Sequence, residues 1–293
     1  MSAFNAFMQI LINGVLFGSM YGVAAIGLSL IFGSMQIVFI AQGAVIILAS
    51  YFTYWTFTLT GLDPFFCLIL CLPLFMALGW GLYVGLFHKV AGAGKNPSLL
   101  LAFGLMVLLQ NLMAFVWTPN PRAIRTSYTA LGLSVGPMQI SFSRPMVFII
   151  SLAATGLVFL FMKKTLWGKA VRAASEDMGA AALLGISPRR VSGVTFAIGI
   201  ALAGIAGVCT ATTYPFDPYF GFLFSLKALI AVAFGGLGSV GGALLGGILL
   251  GLLESVGSYV ISGGWADAIS YAAFLLVIML RPEGLFGQRT RAV

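Results

Sequence analysis

The first charged side chain in this chain is Asp63, so 62 residues pass without an Asp, Glu, Lys or Arg. One membrane-crossing helix needs about 20 apolar residues. The opening stretch is therefore long enough for more than one span before any charge appears. Over all 293 residues, 60% are hydrophobic and 8% are charged, against roughly 25% charged in an ordinary soluble domain. A soluble fold of this size would lack the polar surface to stay dispersed. The apolar runs are continuous and do not alternate every second residue, which favours helices over a barrel. The expectation is an all-α integral membrane protein, a single domain over 1–293.

Breaks in the apolar runs predict spans near 5–32, 35–60, 65–88, 97–117, 145–163, 191–212 and 266–281. A longer, interrupted segment covers 224–259, for about eight spans in total. The N-terminus, MSAFNAFMQI, has no basic region and no small-residue cleavage site, so it is not read as a removable signal. The stretch 163–190 is the most basic, with Lys163, Lys164, Lys169, Arg172, Arg189 and Arg190 against Glu176 and Asp177. Cytoplasmic loops collect Lys and Arg, which places 163–190 inside. Alternation then puts the turn 89–96 and the C-terminal tail inside, and Asp63, the loop 118–144 and the N-terminus outside. The net charge of +8 is thereby explained by the membrane and not by nucleic acid.

Enzymatic readings find little support. Lys95 follows Gly94, but Asn96 stands where a phosphate-binding loop needs Ser or Thr, and Lys89 stands where it needs its first Gly. The chain carries no ATPase motif of that kind, no H-E-x-x-H and a single histidine, His88. Cys67, Cys71 and Cys209 lie in apolar runs and read as small core residues. No metal or bound cofactor is expected.

Two local signals stand out. In 234–251, FGGLGSVGGALLGGILLG, Gly238, Gly242 and Gly246 recur every fourth residue, and so do Ala243, Gly247 and Gly251. Small residues at that spacing let another helix pack closely. Gly235, Gly236 and Gly238 should break the helix, and broken backbone at membrane depth is either buried in protein or lines a wet cavity. A pore-lining break and tight packing are both open readings, and they are compatible. The second signal is WGKAVRAASEDMGAAALLGISPRRVSGVTF at 167–196. Its Ala-rich core should form one or two short helices, stopped at Gly185 and restarted at Ser187-Pro188. It is either a solvated connector or a helix that transmits force from a soluble partner. Glu254 is the one acid well inside an apolar run, near the outer end, and Lys227 is expected to snorkel outward. Gln36, Gln42, Gln110 and Asn111 either bond a polar solute or join helices. A short internal similarity links Phe32-Gly33-Ser34, leading through Gln42-Gly43-Ala44, with Phe234-Gly235-Gly236, leading through Gly241-Gly242-Ala243. Paired interrupted spans point to a transport path.

Three blocks resemble a known family: the smaller membrane subunit (LivH type) of branched-chain amino acid ABC importers. They are Gly18-Ser19-Met20-Tyr21-Gly22 through Gly27-Leu28-Ser29-Leu30-Ile31-Phe32-Gly33; Gly168-Lys169-Ala170-Val171-Arg172-Ala173 with Ala180–Ile186, Phe196 and Ala203–Gly207; and Phe234–Ser239 with Gly241–Gly247, closing in Arg281–Gly287. Phe39 and Gln42 stand where the family often has Asn and His. The resemblance implies a bacterial inner-membrane permease that imports branched-chain or hydrophobic amino acids, or a related polar solute such as urea or an amide. It implies a second, LivM-like permease, two LivG/LivF-like ATP-binding subunits that hold the ATP and Mg, and a periplasmic or extracellular solute-binding protein. Residues 170–187 would be the coupling helix seated on an ATPase, with Arg172, Glu176, Asp177, Ala181, Leu184 and Gly185 as its contact set. Phe39, Gln42, Gly235, Gly236 and Gly238 are path candidates, and Gly242, Gly246, Gly247 and Gly251 packing candidates. Arg122, Arg125 and Arg144, unexpected outside, are candidates for docking the binding protein. The competing expectation is a secondary transporter or solute channel that works without an ATPase.

Overall fold

The computed structural model describes residues 3–90, 95–126, 132–135, 138–236, 238–260, 266–281 and 284–285. Gly92, Ala93, Gly94, Pro137, Leu237, Pro282, Glu283 and the tail with Arg289 and Arg291 lie outside the described residues. The described chain is helical apart from one hairpin. In order, it forms α1 (Ala3–Met35), α2 (Gln42–Thr60), α3 (Cys67–Leu82) with a π turn at Tyr83–Phe87, α4 (His88–Val90), α5 (Lys95–Trp117), strands β1 (Gly132–Val135) and β2 (Met138–Ser141), α6 (Ser143–Lys164), α7 (Leu166–Glu176), α8 (Met178–Leu183), α9 (Pro188–Thr213), α10 (Gly221–Gly235), α11 (Val240–Val260) and α12 (Ala266–Leu280).

Seven helical segments among the described residues are long and apolar enough to cross a membrane: α1, α2, α3 through α4, α5, α6, α9 and α11. α10 and α12 are shorter apolar helices. Many hydroxyls inside the spans bond back to carbonyls one turn earlier, as Ser50 does to Ile46 and Thr53 to Ala49, and those need no water. The loop 118–144 contains the antiparallel pair β1–β2, with Val135 opposite Met138.

α1 and α9 form the centre. The apolar cores of both are more than four-fifths buried, against 28% for α3–α4, α5 and α6. The charge-free start follows from this placement, because a charge in α1 would be buried without a partner. α11 crosses α1 along glycine on both sides. Gly14 and Gly18 of α1 meet the backbone of Leu252 and Ile248, while Gly247 and Gly251 of α11 meet that of Gly22 and Gly18. Gly242 and Gly246 face another way, onto the backbone of Gly235 and Ala231 in α10. The small-residue series thus serves two neighbours. Gly238 does not belong to either face: it lies in the break before α11 with φ +85°, and a Cβ there would meet nothing within 4 Å.

The ends of the helices define two faces. One carries Lys89, Lys163, Lys164, Arg189, Arg190 and Arg281 at or beyond helix ends, with Lys169 and Arg172 on α7. The other carries the hairpin, Asp63, Asp217, Arg122 and Arg125. The strongly basic face is the one that the charge rule would assign to the cytoplasm.

Candidate functional site

On the basic face α7 and α8 make a capped elbow. Thr165 caps α7 by accepting the Gly168 N–H at 2.9 Å, and Asp177 caps α8 by accepting the Ala180 N–H at 2.9 Å. Val171, Ala174, Ala181 and Val191 close a small core beneath it. The C-terminus of α8 is a Schellman motif. Gly185 N–H donates to the Ala182 carbonyl (3.0 Å), Ile186 N–H donates to Ala181 (3.1 Å), and Gly185 takes φ +83°. That left-handed residue favours glycine. Of the expected coupling residues, Arg172, Glu176, Asp177, Leu184 and Gly185 are exposed and Ala181 is buried. Sequence reading missed Leu183. It is 91% exposed and Leu184 is 82% exposed, side by side at the tip of α8. The signal was available: two consecutive leucines before a Gly stop cannot both face a core beneath a one-turn helix.

Above the elbow the membrane helices are interrupted. α1 ends at Met35, Gln36 takes a left-handed φ of 55°, and the chain turns back. α2 then starts at depth. Gln42 Nε2 donates to the carbonyls of Ala24 (3.4 Å) and Gly199 (3.5 Å). Gly199 lies eleven residues into α9, about 16 Å from its N-terminal end. α10 also starts at this depth. Gly43 N–H donates to Ser225 Oγ (2.8 Å), Ser225 Oγ donates to the Ile40 carbonyl (2.5 Å), and a Cβ on Gly221 would lie 2.8 Å from the Gly43 carbonyl oxygen. Two helix N-termini therefore meet inside the bilayer, an arrangement that presents partial positive charge there. The break before α11 lies elsewhere, at the basic face, where Gly238 N–H donates to Ser29 Oγ at 3.1 Å.

Phe39 and Gln42 are both fully buried within this chain. Phe39 packs edge-on against Phe87 and Phe196, with centroids 5.6 and 5.0 Å away. Gln42 Oε1 is buried without a hydrogen-bond partner. Gly235 and Gly236 are buried and Gly238 is exposed. A cavity of about 1070 Å³ opens on the basic face between the break and the elbow; Ser34, Gln36, His88, Ser175, Asp177 and Arg189 are among its lining. The same space thus touches the end of α1, the π turn through Tyr83, and both sides of the elbow.

Lys227 does not snorkel outward. Its Nζ bonds Glu254 Oε1, lies 3.1 Å from Asp267 Oδ1 and 3.4 Å from the Tyr21 hydroxyl. Among α1, α10, α11 and α12 a buried charge left unpaired would be strongly destabilising, and the three groups compensate one another. On the hairpin face Arg122 is held in the chain: it donates to the Trp117 carbonyl at 3.0 Å and lies over Tyr54 and Trp55. Arg144 donates to Asn13 Oδ1 at 2.6 Å and stacks on Phe17 at 4.5 Å. Arg125 is exposed. No group of three or more His, Cys, Asp or Glu able to hold a metal occurs among the described residues.

Comparison with known proteins gives consistent results. Residues 10–279 match the family described as the branched-chain amino acid transport system permease component. The chain is 30% identical to the high-affinity branched-chain amino acid transport system permease protein LivH of Escherichia coli, with 97% of each chain covered. It is 30% identical to the corresponding BraD of Pseudomonas aeruginosa, with 96% of each covered. A probable LivH of Methanocaldococcus jannaschii is 24% identical over 95% of this chain and 92% of the relative. Among solved structures, PsaBC of Streptococcus pneumoniae in complex with a Fab aligns over 94% of this chain and 92% of its own, with TM-score 0.52 and 14% identity. That likeness concerns the fold.

Proposed function

The chain belongs to the family of branched-chain amino acid transport permease components, and on that premise we propose that it is the membrane subunit of an ATP-binding-cassette importer. It moves a branched-chain or similar amino acid, or a related small polar solute, across the bacterial inner membrane. ATP and Mg are held and used by two partner ATPase subunits, a second permease completes the path, and a binding protein delivers solute at the outer face. The observation that carries the reading is the elbow. Leu183 and Leu184 stand almost fully exposed at the tip of a capped cytoplasmic helix, outside any membrane-crossing segment. Paired exposed leucines on a rigid mount suit insertion into a partner's groove.

The elbow and the end of α1 share one cavity, so tilting the elbow would be felt where α1 breaks. Alternating access then follows as a two-state rearrangement of the interrupted helices. The test is to purify the tagged chain from cells expressing the neighbouring transport genes. Two ATP-binding subunits should arrive with the wild type and be lost with Leu184→Arg. ATP-independent uptake by the chain alone would establish the channel or secondary-transporter reading in its place.

A further inference from the structure

We infer that the outer face carries a small two-pole pocket that receives the charged head of a zwitterionic amino acid, the carboxylate at one wall and the ammonium at the other. A cavity of about 260 Å³ lies between the N-terminus of α6 and the C-terminus of α9, with Arg125, Ser143, Arg144, Ala211, Thr212 and Pro215 in its lining. The volume falls just below the range of drug-sized sites, which suits a smaller solute.

One wall is electropositive. Arg144 donates to Asn13 through one nitrogen, which leaves other guanidinium N–H groups for a second acceptor. Arg125 is exposed beside it. Ser143, the first residue of α6, is 2% exposed and its Oγ has no hydrogen-bond partner. The 22-residue helix it opens leaves its first amide N–H groups without helical acceptors. A buried hydroxyl without a partner is destabilising, and a carboxylate in this cavity would relieve it. No acidic side chain lines the pocket.

The opposite wall is electronegative, and the sequence makes it so. The Ala211 carbonyl would take its helical bond from residue 215, but Pro215 has no N–H. The Thr212 carbonyl would take its bond from Phe216, whose N–H donates to the Arg122 carbonyl at 2.9 Å instead. The negative end of α9 is thus left with acceptors suited to an ammonium group. The two arginines expected to dock a binding protein here become one pole of a solute site.

This inference rests on the amino acid importer reading, and its test separates the two. The complex of this chain with its partner subunits is placed in nanodiscs without binding protein. Binding of L-leucine, leucinamide (no carboxylate) and 4-methylpentanoate (no ammonium) is then measured by scintillation proximity. L-leucine should bind about tenfold more tightly than either analogue. Arg125→Gln and Ser143→Ala should each weaken L-leucine and 4-methylpentanoate severalfold while sparing leucinamide. Pro215→Ala supplies a donor to the Ala211 carbonyl, and should weaken L-leucine and leucinamide while sparing 4-methylpentanoate. Equal binding of L-leucine and leucinamide, or no binding at all, overturns the pocket. So does an Arg125→Gln variant that binds L-leucine normally but loses only binding-protein-driven uptake, because that assigns Arg125 to docking. ATP-driven uptake of L-leucine by a complex that fails these binding tests leaves the importer standing and removes the pocket alone.

Discussion

Gly18→Ala is the sharpest probe of the α1–α11 crossing. A Cβ on Gly18 would lie 2.6 Å from Ile248 Cα, 2.7 Å from the Gly247 carbonyl oxygen and 2.9 Å from the Ile248 carbonyl oxygen. All three neighbours are backbone, so no side chain can swing away. Carbon atoms pack at about 3.5–4.0 Å, so the two helices must part locally by roughly 1 Å. Both helices hold glycine along this crossing, and separation at one point loosens contacts over several turns. Overpacking of this kind costs about 1–3 kcal/mol, a shift of roughly 2–4 °C in melting temperature per kcal/mol for domains of 150–250 residues. Gly241→Ala is the internal control. It lies at the start of α11, where a Cβ would meet nothing within 4 Å, and alanine is the better helix former by about 1 kcal/mol. Melting of the purified complex in nanodiscs, followed by near-ultraviolet circular dichroism, should fall several degrees for Gly18→Ala and hold or rise for Gly241→Ala. Equal melting temperatures for Gly18→Ala and wild type would refute the close crossing.

Three further outcomes are expected. Gly185→Trp forces a bulky residue into a left-handed position, and should abolish solute-stimulated ATP hydrolysis while leaving the melting temperature of the membrane helices within a few degrees of wild type. Lys227→Met leaves Glu254 and Asp267 without their shared cation and should destabilise the protein by roughly 3–5 kcal/mol, the range for removing one partner of a buried ion pair. Adding Glu254→Gln should recover part of that loss in denaturant titrations, and a strictly additive double variant would show that the pair is not coupled. A Cys at Met178 should react with a membrane-impermeant thiol reagent only in inside-out vesicles, whereas labelling of intact cells would reverse the assigned faces.

Much of the helical architecture was legible because the bilayer imposes it. A long charge-free run can only be buried or spanning, and Lys and Arg density marks one side. The helix stop at Gly185 was legible for a local reason: a left-handed end needs glycine, and Pro188 restarts the next helix. What escaped were pairings between distant segments. Gly14, Gly18 and Gly22 show the same four-residue spacing as the α11 glycines, yet spacing names no partner, and each helix alone offers several faces. The choice of α10 as the partner of α2 depends on Gly43 and Gly221 being adjacent, 178 positions apart in sequence numbering. Lys227 was misplaced for the same reason. Read along the chain it is a lone cation near an apolar helix; in three dimensions, Glu254 and Asp267 from two other helices reach it. The outer pocket required knowing that the Phe216 N–H is committed to Arg122, which no local pattern announces.

The central claim is that this permease works only through ATPases seated on the α7–α8 elbow. The most direct measurement is uptake of radiolabelled L-leucine into proteoliposomes holding the full complex, with binding protein and solute outside and ATP enclosed. The account predicts accumulation that requires enclosed ATP, that is abolished by Leu184→Arg in this chain, and that persists at wild-type levels with Leu59→Ala, an exposed apolar change on the opposite face. Accumulation of the same extent without ATP, or with Leu184→Arg, would contradict it.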